Sequence, residues 1–320
     1  MKSAAGFSEE HRTSPSDMHD NKRLGVGLGL TAYLIWGSFP IFFKALEGAV
    51  PLEIVCHRIF WSLVFLFILV TIRHQPGQVL NALRNRQILL TLCGSTLLIA
   101  TNWLVFIYAV QHDEVLQSSL GYFITPLISV LLGCIFLRER LNRWQLCSVL
   151  LALAGVLILA THHSRFPWIA LVLAITFGLY GLLRKVARVE AMIGLTVETL
   201  LLGPIAFGYI IYLTIQHQSA FLAGSLQLDL LLPLSGVVTA VPLLLFVAAA
   251  RRLQLATIGF LQYLTPSLHF ILAVVIYNEP FSQGHLVSFL FIWTGLGIYS
   301  GDALWKNRET WRKKRSRPSP

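Results

Sequence analysis

Residues 54–72 read IVCHRIFWSLVFLFILVTI, and the one permanently charged side chain in that run is Arg58. Leu63–Leu69 is apolar at every position, whereas a transmembrane barrel strand alternates apolar and polar residues. A helix that crosses a bilayer needs about 20 largely apolar residues, and this run has that length. Comparable runs recur along the chain. The expected helices are 24–43, 54–72, 88–110, 118–137 and 145–161, then 167–183, 194–215, 230–250, 257–277 and 285–305. Of the 320 residues, 55% are hydrophobic and 12% charged, against roughly a quarter charged in soluble domains. That balance excludes a soluble enzyme, and the short connections exclude any sizeable domain outside the membrane.

The formal net charge is +10, yet the basic residues lie in short loops rather than on one face suited to nucleic acid. Lys2, Arg12, Lys22 and Arg23 precede the first helix, and Arg73, Arg84 and Arg86 follow the second. The same side receives Arg138, Arg140 and Arg143, then Arg184, Lys185 and Arg188, then Arg251 and Arg252, and finally the basic stretch 306–320. The opposite loops carry Lys44 and Arg165. Positive loops stay in the cytoplasm, so both termini are expected there. Residues 1–23 lack an apolar core and read as a disordered cytoplasmic tail rather than a signal peptide. Residues 306–320 form a second, basic tail able to touch anionic lipid headgroups. Cys56, Cys93, Cys134 and Cys147 lie in or beside apolar runs without CxxC spacing, which suits membrane-buried thiols rather than disulfides or a metal site.

Shifted by 140 residues, the chain meets itself. Thr125-Pro126 falls on Thr265-Pro266, Glu139 on Glu279 and Gly155 on Gly295, while Leu104, Phe106 and Ala109 fall on Leu244, Phe246 and Ala249. The shift carries the first five helices (24–161) onto the last five (167–305). Five is odd, so the second copy must be inverted. Inverted repeats belong to carriers whose site lies between two rocking halves.

Polar residues inside the apolar runs are candidates for that site. Arg58, beside His57, and Glu198 are related by the same shift, and each costs roughly 3 kcal/mol in the membrane unless it pairs, snorkels or faces water. In inverted copies they approach opposite faces, so separate gates or two ends of one cavity are expected rather than a direct pair. The bland alternative is snorkelling of Arg58 and capping by Glu198. Tyr33, Trp36, Asn102, Trp103, Tyr122, Gln262 and Tyr263 form aromatic and amide clusters suited to lining a cavity for small organic solutes. Helix–helix hydrogen bonding is the alternative for the amides. Pro126, Pro242 and Pro266 interrupt apolar helices and mark hinges or kinks. His269 reads as a neutral, hydrogen-bonded helix histidine. The sequence has no HExxH, GxSxG or P-loop, so zinc or serine hydrolysis and ATP-driven pumping find no support.

Particular stretches resemble the RarD branch of the EamA family, within the drug/metabolite transporter superfamily. They are Tyr33-Leu-Ile-Trp36-Gly37, His57-Arg58-Ile-Phe-Trp61-Ser62, Asn102-Trp103-Leu-Val-Phe106 and Ser119-Leu-Gly-Tyr122. Tyr180-Gly-Leu-Leu-Arg184-Lys185, Glu198-Thr199, Thr239-Ala-Val-Pro242 and Gly259-Phe-Leu-Gln262-Tyr263 extend the likeness to the second half. The resemblance implies ten helices in two EamA-type halves, a bacterial inner-membrane location and a permease for a small organic metabolite or drug. It adds His57 and Trp61 to the candidate site residues and implies no cofactor. Gln117 and Thr125 depart from the pattern, where Glu and Asn are expected, which weakens any role for an acid in that loop. The competing classes are a membrane enzyme acting on a lipid-like substrate and a non-transporting scaffold or sensor. Convergence of Trp36, Arg58, Asn102, Glu198 and Gln262 on one central cavity separates transport from both. The charge pattern also makes a direct prediction: a reporter active only outside the cytoplasmic membrane, fused after residue 320, stays silent, and strong signal there refutes the orientation.

Overall fold

A computed structural model describes residues 15–137, 142–162, 166–187, 189–250, 252–253 and 261–315. These residues are helical nearly throughout, without a strand among them. The first apolar run becomes α1 (Pro15–Gly37) and α2 (Phe39–Lys44), separated at Ser38 two residues before Pro40. Next come α3 (Pro51–Ile72), α4 (Pro76–Arg84), α5 (Arg86–Gln111), α6 (Val115–Leu137) and α7 (Arg143–His162). The remainder comprises α8 (Trp168–Ala187), α9 (Ala191–Ile215), α10 (Leu226–Ala250), α11 (Leu264–Ile271) with a π-turn over Leu272–Ile276, and α12 (Gln283–Arg315).

Local signals explain several boundaries. Pro51 and Pro76 open α3 and α4, where a missing N–H costs nothing. The Asn85 side chain caps α5 by accepting from the Gln87 and Ile88 amides, both at 3.1 Å. His74, Asp113 and His217 adopt φ near +55° after α3, α5 and α9, reversing the chain so that the next amide closes on a terminal carbonyl. Gln75 N–H reaches Val70 O, Glu114 N–H reaches Ala109 O, and Gln218 N–H reaches Leu213 O.

Among the described residues, seven helical stretches are long and apolar enough to cross a membrane, and Arg143–Leu159 and Leu264–Ile276 are shorter apolar helices. Each expected run thus corresponds to helix, with differences at the edges. Helix α1 reaches back to Pro15, into the stretch read as a tail, and α12 runs on to Arg315. Helix α4 occupies what reads as a loop; its Ala82 is buried, with Val79 and Leu83 against the cluster that holds Met192 and Ile193. Residues 257–260 and Glu139 lie outside the described residues. Phe67, Ile68, Ile72, Leu97 and Ile205 are more than half exposed, as side chains facing lipid should be.

Small residues set how closely the helices approach, because lipid is as apolar as a leucine and gives little drive for association. Helices α7 and α12 meet at two glycines. A Cβ on Gly155 would lie 2.9 Å from Ser288 O, and one on Gly295 would lie 2.8 Å from Ser148 O. Both contacts join positions related by the 140-residue shift, so the interface is reciprocal. Gly203 of α9 receives the side chain of Leu63 of α3, again a shift-related pair. Gly25 and Gly29 pack against Leu253 and Leu261, whereas Gly297 and Gly301 face open space. Of the expected hinge prolines, Pro126 and Pro242 sit inside α6 and α10. Pro266 lies in the first turn of α11, where it removes no interior helix bond. Replacing Gly155 or Gly295 by Leu overpacks the α7–α12 contact, at a cost of about 1–3 kcal/mol. Their unfolding midpoints in detergent should fall, while Gly297→Leu remains near wild type; equal effects at all three glycines would refute the packing account.

Candidate functional site

A cavity of about 250 Å³ lies among α1, α2, α3, α5, α6, α8, α9, α10 and α11. Of the residues singled out from sequence, Tyr33, Trp36, Arg58, Asn102, Trp103, Tyr122 and Gln262 line it. Phe39, Phe106, Phe177, Tyr180, Thr239, Phe246 and His269 complete much of the wall. Tyr33, Trp36 and Phe246 form an aromatic corner with centroids 5.4–6.0 Å apart.

Arg58 is almost fully buried. Its Nε donates to Thr239 Oγ1 at 2.6 Å, and Thr239 passes its own hydrogen to Ser235 O at 2.8 Å. The guanidinium carbon lies 4.3 Å from the Trp103 ring centroid, 5.2 Å from Phe43 and 5.4 Å from Phe39. Nη1 is buried without a hydrogen-bond partner. A desolvated cation over an aromatic face gains about 2 kcal/mol, less than the several kcal/mol that burying an ion costs.

Glu198 does not line the cavity, which corrects the sequence expectation. It is buried between helices, accepting from Ser95 Oγ at 2.6 Å and from Tyr180 Oη at 3.3 Å, with Arg184 Nη1 3.8 Å away. That last separation is an ion pair without a hydrogen bond, consistent with the lack of any hydrogen-bond partner for Arg184 Nη1. Tyr180 stands between Glu198 and the cavity it lines. No ion pair joins Arg58 to Glu198; each instead binds a hydroxyl on a shift-related helix, Thr239 on α10 and Ser95 on α5.

His57, Trp61 and Tyr263 also fall outside the lining. Successive residues of a helix point about 100° apart, so His57 faces away from Arg58. Its ring lies tilted against Phe221 with centroids 4.9 Å apart, and its Nδ1 accepts from Trp61 Nε1 at 3.2 Å one turn later. Tyr263 turns away from Gln262 and stacks on Phe123 at 6.5 Å. Asn102 reaches the cavity but commits its amide: Nδ2 donates to Leu173 O and Thr176 Oγ1, and Oδ1 accepts from Tyr122 Oη. It positions Tyr122 and ties α5 to α8. His269, read from sequence as a neutral, hydrogen-bonded helix histidine, has its Nε2 3.1 Å from Trp36 O; it also lines the cavity, and its Nδ1 has no partner.

At one end of the bundle, polar contacts tie the first five apolar runs to the last five. Glu279 accepts from the Val115 and Leu116 amides, both at 2.7 Å, so a carboxylate caps the start of α6. Burial raises the Glu279 carboxyl above its ordinary range, and these two amides oppose the shift. Glu53 accepts from Ser219 Oγ and the Ala220 amide, both at 2.8 Å, and Gln227 donates to Ala45 O at 2.8 Å. At the other end, Asn142 donates to Asp302 at 2.7 Å. None of these acids had a sequence signal beyond the Glu139–Glu279 match.

Residues 23–161 match the EamA-like transporter family. Protein RarD of Escherichia coli K12 is 43% identical over 288 residues, covering 90% of this chain and 97% of the relative. An uncharacterized transporter of Vibrio cholerae is 43% identical over 288 residues, covering 90% and 95%. Uncharacterized transporter YojE of Bacillus subtilis is 42% identical over 293 residues, covering 90% and 97%. A solved crystal structure with 17% identity superposes with a TM-score of 0.57 over 86% of this chain and 96% of that one, a likeness of fold.

The Arg184–Glu198 contact depends on a glycine. A Cβ on Gly194 would overlap the Arg184 guanidinium, so Gly194→Ala should expel Arg184 and leave Glu198 with its two hydroxyl donors. The loss should be about 1–3 kcal/mol, read as unfolding midpoint in detergent. In a Glu198→Gln background the same substitution should cost less, and strict additivity would refute the coupling.

Proposed function

The chain belongs to the EamA-like transporter family, and from that premise we propose that it is a secondary transporter moving a small organic solute by alternating access. Its relatives carry transporter names rather than enzyme names, and its apolar helices make it a multi-pass membrane protein. In this reading ten helices form two inverted five-helix halves, 24–161 and 167–305, flanked by tails at 1–23 and 306–320. The protein resides in a bacterial inner membrane with both termini in the cytoplasm. The reciprocal contacts of Gly155 with Ser288 and of Gly295 with Ser148 support the inversion.

The observation that carries the proposal is the cavity: Arg58, Asn102 and Trp103 from one half meet Thr239, Phe246 and His269 from the other around it. A site built from both halves changes shape when they rock. The contacts of Glu279, Glu53 and Gln227 then form the gate at one end, broken when that end opens. The Glu198 cluster and Asn142–Asp302 stand at the other. Pro126 and Pro242, inside α6 and α10, and Pro266, at the start of α11, are the bending points. The solute and its direction of movement follow from experiment.

Strains expressing wild-type protein or a cavity-filling variant, Ile99→Trp or Leu243→Trp, at equal membrane levels should differ in small organic solutes partitioned between cells and medium. Wild type shifts a definable set of solutes, and both filled variants abolish the shift. Identical profiles in all strains would refute transport through this cavity.

A further inference from the structure

The cavity wall holds a charge with no counterpart. Among the described residues, Tyr33, Arg58, Tyr122, Tyr180 and His269 are its titratable residues, and no Asp or Glu lines it. Glu198 lies behind Tyr180, engaged by Ser95 and facing Arg184. Thr239 takes one guanidinium hydrogen, and buried Nη1 has no acceptor. Aromatic rings of Phe39, Phe43 and Trp103 surround the cation; they stabilise its charge without accepting its in-plane hydrogens. An apolar recess with an unspent, fixed guanidinium is electrostatically complete when an anion occupies it.

A second unspent atom fixes the other end of the ligand. His269 Nε2 is 3.1 Å from Trp36 O. A carbonyl can only accept, so Nε2 carries the hydrogen and Nδ1 presents a lone pair. Nδ1 is buried without a partner, on a side chain that is 1% exposed. Rings separate it from Arg58: the guanidinium lies over Phe39, Phe39 contacts Phe106 at 6.4 Å, and Phe106 stacks on His269 at 5.4 Å. Cation, apolar wall and neutral acceptor therefore follow one another along the cavity.

We propose that the solute is an amphipathic organic monoanion. Its carboxylate binds Arg58, its apolar body lies against Phe39 and Phe106, and a hydroxyl or N–H at its far end donates to His269 Nδ1. One guanidinium neutralises one negative charge, and among the described residues no further cation lines the wall for a doubly charged phosphate. The inference deepens the transport reading and rests on the cavity being the solute site.

The test titrates the purified full chain, in neutral detergent, with ligands that quench the Trp36 and Trp103 fluorescence. The probes are 3-phenylpropionate, 3-phenylpropionamide, 2-phenylethyl phosphate and the three ring-hydroxylated phenylpropionates. In wild type the carboxylate should bind at least about tenfold tighter than the amide, the scale of one hydrogen bond to a charged group. Arg58→Gln should erase that ratio and Arg58→Lys should restore part of it. The best hydroxylated isomer should gain about two- to tenfold over its parent, and His269→Phe should remove the gain while sparing the parent acid. Ile99→Trp should abolish all binding. Equal affinity for acid and amide, tightest binding of the phosphate, no binding of any acid, or acid binding that survives Ile99→Trp would each overturn the proposal. Carboxylate binding without solute redistribution in cells would refute transport but not the ligand class; the reverse result would refute the ligand class alone.

Discussion

A bilayer supplies no water to hydrogen-bond a polar group, and this constraint shapes the molecule from backbone to site. Helix satisfies the backbone. Side chains follow the same rule by location. The exposed threonines Thr31, Thr71, Thr91, Thr101 and Thr214 each donate to the carbonyl four residues back, at 2.8–2.9 Å. Their hydroxyls are thereby removed from lipid. Several buried hydroxyls, those of Thr96, Thr125, Thr196 and Thr199 among them, bond back in the same way, and other buried polar groups bond across helices, as Arg58 does to Thr239, Ser119 to Pro266 O, Ser62 to Gly236 O and Asn102 to Leu173 O. Of the buried side-chain atoms without a partner among the described residues, which include those of His57, Arg184 and Ser288, Arg58 Nη1 and His269 Nδ1 are the two whose residues line the cavity.

The same constraint explains why glycine and serine dominate the tightest contacts. With no solvent to squeeze helices together, association depends on close approach and complementary polar atoms. Gly236 lets α10 touch the backbone of Trp61 and Ser62, and Gly121 lets α6 touch the Ala170 carbonyl. Contacts that recur at the 140-residue shift give the α7–α12 pair a reciprocal geometry. Arg58 on α3 and Glu198 on α9, also related by that shift, each bond a hydroxyl of a helix from the other related pair, Thr239 on α10 and Ser95 on α5.

Much of this was legible in the sequence because a bilayer writes long runs. The apolar stretches located the helices, though α1 begins at Pro15 and α12 runs on to Arg315, and the offset of 140 paired Gly155 with Gly295, the two glycines of the α7–α12 contact. Helix α4 was not legible: its nine residues are amphipathic and too short for a span, and its burial depends on the distant Met192 and Ile193. Within the site, cost arguments found Arg58 and the aromatic–amide clusters. They could not tell which side of α3 faces the cavity; the resemblance added His57 and Trp61, yet His57 turns toward Phe221 and Trp61 bonds His57. Nor could they place Glu198 behind Tyr180. His269 looked bland because its hydrogen bond to Trp36 is only half of its chemistry, and the other ring nitrogen is seen in three dimensions alone. The buried Glu53 lies at a helix start, where sequence reads an acid as an ordinary cap.

The central claim is that the two halves exchange which end of the cavity is tied shut. Distances between spin labels test it most directly, with one pair at exposed His112 and Gln218 and a second at exposed Gln78 and Val186, measured with the membrane-reconstituted chain. The account predicts two populations in which the first distance lengthens as the second shortens, with 3-phenylpropionate changing their ratio. Two single, invariant distances, or two that lengthen together, would contradict it.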